Sequence, residues 1–74
     1  MPKLPRVTSG EMVRALRRAG FVEDHQTGGH LSLRHPSGCR IVVPMHGRTL
    51  GTGLTHAIMK QAGLSVEEFI ALLK

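Results

Sequence analysis

A small α+β domain is predicted, in the order α-β-β-β-α-α, with an antiparallel three-stranded sheet and the helices on one of its faces. Three features of the 74-residue chain lead there. Near its middle, His30 to Arg34 alternates in polarity, and an apolar stretch follows it across a Pro36-Ser37-Gly38 turn. The segments at either end carry apolar residues at helical spacing. Capping residues and glycines mark where those helices begin and stop.

The first helix is expected from near Ser9, as N-cap, to about Ala19, with Glu11 in the first turn and Gly20 as the stop. Met12, Val13, Ala15, Leu16 and Ala19 fall on one arc, and Arg14, Arg17 and Arg18 on the opposite one. Residues 21–26 read as a first strand, and Thr27-Gly28-Gly29 as the turn that follows. From His30 to Arg34, alternation sets Leu31 and Leu33 on the core face and His30, Ser32 and Arg34 on the other. Residues 39–43 supply the third strand. Pairing Leu33 with Ile41 and Leu31 with Val43 keeps four apolar residues together, because a one-residue slip would scramble the faces. The same register sets Arg34 opposite Arg40, Ser32 opposite Val42 and His30 opposite Pro44. A second helix is expected from a cap at Thr52 to about Ala62. Leu54, Ala57, Ile58, Gln61 and Ala62 lie on its inner side, and His56 and Lys60 outside. Ser65 with Glu68 forms a capping box for a last helix, with Val66, Phe69, Ile70 and Leu73 as its apolar stripe.

This length forms one domain, residues 1–74, and residues 1–7 read as a basic arm stiffened by two prolines. A single cysteine, Cys39, excludes an internal disulfide and a cysteine-rich zinc site. No segment is apolar enough to span a bilayer, and the first residues lack the apolar stretch of a signal peptide; the cysteine usage fits a reducing cytosol, and a cytoplasmic protein is expected. Ten Lys and Arg against five Asp and Glu favour a polyanion or an acidic protein partner over solubility alone. Tyr and Trp are absent, and Phe21 and Phe69 fall at core positions, so no base-stacking platform is visible. Contact with nucleic acid would run through backbone, shape and 2′-hydroxyls.

The outer face of the central hairpin is where chemistry is expected. His30 shares it with Ser32 and Arg34, and an ionisable ring in a cationic setting suits work on phosphate esters. Arg34 opposite Arg40 repels mildly, and a bound phosphate would remove that repulsion; a screened, idle pair is the alternative. Gly28 and Gly29 permit close approach of a ligand or form a plain hairpin turn. The Arg14, Arg17 and Arg18 arc is a phosphate- or partner-binding stripe or a solvated face. No metal or cofactor is expected: the five histidines show no His-x-x-x-His pair with an acidic helper on one helix.

The chain resembles the HicA-type toxins, also described as YcfA-like proteins. The matching pieces are Ser9-Gly10, Ala19-Gly20-Phe21, and Gly28-Gly29-His30, followed by His35-Pro36-Ser37-Gly38 and Val43-Pro44-Met45-His46-Gly47. Lys60 to Ser65 and Glu67-Glu68-Phe69 complete the series. The resemblance implies a fold similar to double-stranded-RNA-binding domains and a metal-independent mRNA interferase. It also implies a HicB-type antitoxin covering the active face. The family's catalytic histidine falls on His30, and its usual serine is Gly29 here. On this reading His30 is the general acid or base, and His46 a second proton group or substrate contact. Gly28, Gly29, Ser32, Arg34, Arg40, Arg14, Arg17 and Arg18 hold RNA. A non-catalytic RNA-binding module, or a domain docking an acidic partner, remains the alternative.

Overall fold

The computed structural model describes residues 4–45 and 49–74. His46 lies outside the described residues. The element order is α1 (Ser9–Arg18), β1 (Val22–Thr27), β2 (His30–Arg34), β3 (Arg40–Pro44), α2 (Thr52–Ala62) and α3 (Val66–Leu73). The three strands form one antiparallel sheet in the order β1-β2-β3. This is the α+β architecture that the polarity pattern predicts.

Each helix starts at a side chain or backbone suited to it. Thr8, not Ser9, caps α1: its hydroxyl accepts from the Glu11 N–H, and Glu11 accepts from the Thr8 N–H. Ser9 is buried instead, and its hydroxyl donates to the Pro44 carbonyl at 2.6 Å. A hydroxyl paired with a strand carbonyl serves better in the interior than a cap exposed to water. Gly20, at φ +103°, takes the left-handed turn that ends the helix. Ser65 and Glu68 form the expected capping box on α3. Gly51 is the N-cap of α2, with no side-chain bond, and Thr52 is its first helical residue.

The core is built from Leu31, Leu33, Ile41 and Val43 on one face of the sheet, with Met12, Leu16, Ile58, Met59 and Phe69 from the helices. Phe21 is buried at the mouth of β1, and Val7 and Leu50 join the core from loops. Leu50 N–H donates to the Val7 carbonyl at 2.7 Å, next to a Thr8–Thr49 bridge. The described part of the arm thus lies against the body. The inner stripe of α2 is Thr55, Ile58, Met59 and half-buried Ala62; Leu54, Ala57 and Gln61 face outward. The helix is rotated from the expected setting because Thr55 goes inside. Its hydroxyl donates to the Gly51 carbonyl at 3.0 Å, which removes the cost of burying it.

Arginines on α1 also hold α3. Arg14 donates to the Leu73 carbonyl at 3.3 Å, and Arg18 to the Leu72 carbonyl at 2.8 Å and to that of Lys74. These carbonyls end a helix and have no intrahelical partners, so cationic donors suit them.

Thr8→Ala is expected to cost about 1 kcal/mol by removing the cap of α1, measured by chemical denaturation. A Ser9→Ala change is expected to cost a similar amount, about 1 kcal/mol, through the Pro44 carbonyl it leaves unpaired. The Thr8 N–H, then its hydroxyl, hold the Glu11 carboxyl below the usual glutamate range; Ser65 does the same for Glu68. Depressed carboxyls stabilise the fold above the ordinary glutamate pKa, and this is lost as pH falls through the lowered values. The unfolding temperature should therefore drop on acidification below about pH 4.3, and less steeply in a Glu11→Gln, Glu68→Gln protein, whose amides cap without titrating.

Candidate functional site

The site is a sheet face that none of the described helices covers. Val22 and Val42 on it are 63% and 50% exposed, while their neighbours Phe21, Ile41 and Val43 are buried. The β2–β3 register is the one that the alternation predicts: His30 opposite Pro44, Ser32 opposite Val42 and Arg34 opposite Arg40. His30, Arg34 and Arg40 are exposed, and Ser32 is half-buried. Adding β1 gives three rows across the face. Thr27, His30 and Pro44 form the row at the turn, then His25, Ser32 and Val42, then Val22, Arg34 and Arg40.

The end that carries His30 is fixed from two sides. Met45 N–H donates to the Gly29 carbonyl at 2.5 Å, extending the β2–β3 pairing past Pro44. Ser9 holds the Pro44 carbonyl from α1. Gly28 sits at φ +55°, a left-handed conformation that makes the tight β1–β2 turn possible. Gly29 is outside that region, and among the described residues a Cβ added at either glycine meets nothing within 4 Å. The backbone beside His30 is therefore open to a ligand.

The charges on this face do not all point toward a ligand. Arg40 reaches Asp24 of β1 at 3.5 Å, so one of the two facing guanidiniums already has a counter-charge. Among the described residues, Arg34 forms no ion pair. The remaining predicted cations lie elsewhere. Arg14, Arg17 and Arg18 border a shallow groove of about 520 Å³ on α1, across the sheet from His30. Arg17 pairs with Glu23 at 3.3 Å, and the other two serve α3. The structure brings His30, Ser32, Arg34 and Arg40 together and keeps the three α1 arginines apart from them. Among the described residues, no three His, Cys, Asp or Glu side chains form a metal-binding group. No helix of the described residues is long and apolar enough to cross a membrane.

Two residues on the face were not singled out from sequence. The β1–β2 register shifts by one between Glu23 and His25, so Asp24 has no partner on β2. This bulge carries His25 to the position opposite Ser32, on the face of His30. The β1 sequence Val-Glu-Asp-His-Gln-Thr is exposed throughout and has no apolar alternation from which a face could be read. By contrast, His35 is a structural residue. Its Nδ1 lies 2.8 Å from the Ser37 hydroxyl, and its ring packs on Phe21 at 5.0 Å.

A family model described as the HicA toxin of bacterial toxin–antitoxin systems matches residues 9–64. The chain belongs to the HicA toxin family. A comparison with curated proteins finds no match. The HicA match begins at Ser9, which anchors Pro44, and takes in α1, the whole sheet and α2. A toxin of a toxin–antitoxin pair, with an antitoxin partner, is therefore the role of this chain at the family level.

Gly29→Ser should leave stability unchanged or raise it by up to about 1 kcal/mol, since its backbone needs no glycine and its side chain meets open space. Gly28→Ser should destabilise, and denaturation of the two variants side by side checks the contrast. Arg40→Ala should change stability by less than about 1 kcal/mol, because the lost pair with Asp24 is exposed and the repulsion from Arg34 goes with it.

Proposed function

We propose that this HicA-family toxin is a metal-independent endoribonuclease that cleaves mRNA in the cytoplasm and so blocks translation. The observation that carries the reading is the position of His30: exposed, on the uncovered sheet face, four residues along β2 from Arg34, which has no ion pair among the described residues, and beside an open Gly28-Gly29 turn. RNA carries its own nucleophile, the 2′-hydroxyl next to each phosphodiester. A base takes that proton, the 2′-oxygen attacks phosphorus, and an acid protonates the departing 5′-oxygen. Histidine is suited to either proton role near neutral pH. Cations beside the phosphate stabilise the charge that builds on its oxygens.

Arg34 is the phosphate contact best placed to act without first losing a partner. Arg40 would exchange Asp24 for the phosphate, and Ser32 lies between the two ends of the site. Gly28 and Gly29 let the RNA backbone approach the ring. The charged, uncovered face is also the surface that a HicB-type antitoxin would cover, which accounts for inhibition by simple exclusion of RNA. Arg14, Arg17 and Arg18 belong to a different surface. Their contribution to RNA binding would be remote from the cleavage site.

Incubation of a defined RNA with the purified chain tests the reading. Cleavage should leave a 2′,3′-cyclic phosphate and a 5′-hydroxyl. His30→Ala should lower the rate by about 10²–10⁴-fold while its unfolding midpoint stays in place. RNA left intact by the unaltered protein, but bound with steep salt dependence, would instead make it a non-catalytic RNA-binding module. A second prediction concerns Asp24. Asp24→Asn should tighten RNA binding several-fold at low salt by freeing Arg40, and the gain should fade as salt rises.

A further inference from the structure

The bulge in β1 puts a second imidazole on the face of the first. Thr27 lies opposite His30 and His25 lies opposite Ser32, so His25 is the diagonal cross-strand neighbour of His30. Such neighbours are about 7–8 Å apart at their Cα atoms, close enough for long side chains to converge. Without the register shift at Asp24, His25 would continue the side of Glu23, which is opposite the buried Leu33. A bulge re-aims a side chain at a cost in ladder hydrogen bonds, and here the re-aimed side chain is a histidine. Among the described residues, neither the His25 ring nor the His30 ring has a hydrogen-bond partner, whereas the His35 ring is held by Ser37 and Phe21. His56 is on α2, away from this face. His25 and His30 are thus the two described histidines that are both on the uncovered face and free to move a proton.

We infer that His25 is the second catalytic group, acting with His30 as an acid–base pair that flanks one RNA phosphodiester. The inference rests on the reading of His30 as the nuclease centre. One neutral ring takes the proton from the 2′-hydroxyl as the 2′-oxygen–phosphorus bond forms. The other ring, protonated, gives its proton to the 5′-oxygen as the phosphorus–5′-oxygen bond breaks. The products are a 2′,3′-cyclic phosphate and a 5′-hydroxyl, and solvent restores both rings to their starting states. Proton donor and acceptor must each reach their oxygen within about 2.6–3.2 Å, on opposite sides of one phosphorus. Two rings on neighbouring strands, with Ser32 and Thr27 at the other corners of the patch, fit that demand better than two rings on one strand. The charged groups facing the pair are Asp24 beside His25 in the bulge, Arg34 diagonal to His25, and Arg40 held by Asp24.

The test is kcat/KM for a defined RNA across the acid-to-neutral range, with the full chain, His25→Gln and His30→Gln. The unaltered protein should give a bell-shaped profile. His25→Gln should lose about 10²–10⁴-fold in kcat with KM little changed, and one limb of the bell should disappear. Its unfolding midpoint should match that of the unaltered protein, since the side chain is exposed. Cleavage by His25→Gln at the full rate, or a loss confined to KM with both limbs intact, overturns the pair and leaves His30 standing. An unaltered protein that cleaves no RNA, or a His30→Gln protein as active as the parent, defeats the nuclease reading and the pair with it.

Discussion

The registration of β2 against β3 is the constraint on which everything else in this molecule rests. Leu31 and Leu33 must face Val43 and Ile41 for the sheet to bury one side. Strand side chains alternate, so that requirement alone sends His30, Ser32 and Arg34 outward. A slip of one residue would drive a histidine and an arginine into the core and expose two leucines. The register is secured at its open end by Ser9 on Pro44 and Met45 on Gly29, and at its closed end by the His35–Gly38 turn. The position of the ring at His30 is therefore a by-product of core packing, and no separate device is needed to present it.

Legibility in the sequence followed the same logic. The central hairpin could be registered residue by residue because His30 to Arg34 alternates strictly and an obvious turn brings Ile41 and Val43 opposite Leu33 and Leu31. Helix α3 was readable from Ser65, Glu68 and its apolar stripe. The setting of α2 was not, because a threonine that bonds its own helix can be buried while a leucine on the next face is left 40% exposed. The cap of α1 was misplaced by one residue for a related reason. Thr8 and Ser9 are both good caps, and only the packing of Ser9 against Pro44 decides between them. Strand β1 gave no face at all. An edge strand with six exposed residues carries no apolar signal, so the bulge at Asp24 and the facing of His25 had to be seen in three dimensions.

The formal charge of +5 overstates how much of the protein is poised for an anion. Arg17 and Arg40 already have carboxylates, and Arg14 and Arg18 already have carbonyls. Arg34 is left as the described guanidinium on the sheet face with no ion pair of its own. Composition counts cations, but only the structure tells which of them are committed. The commitment of Arg40 is a soft one, since an exposed pair is weak and easily exchanged.

The clasp of Arg14 and Arg18 on the end of α3 has a consequence for anything that docks on α1. The guanidinium hydrogens there are shared property. A ligand that takes them must release the carbonyls of Leu72 and Leu73, and the final turn of the last helix then loses its anchor. Occupancy of that surface and fraying of the C-terminal helix are one linked equilibrium, so each reports on the other.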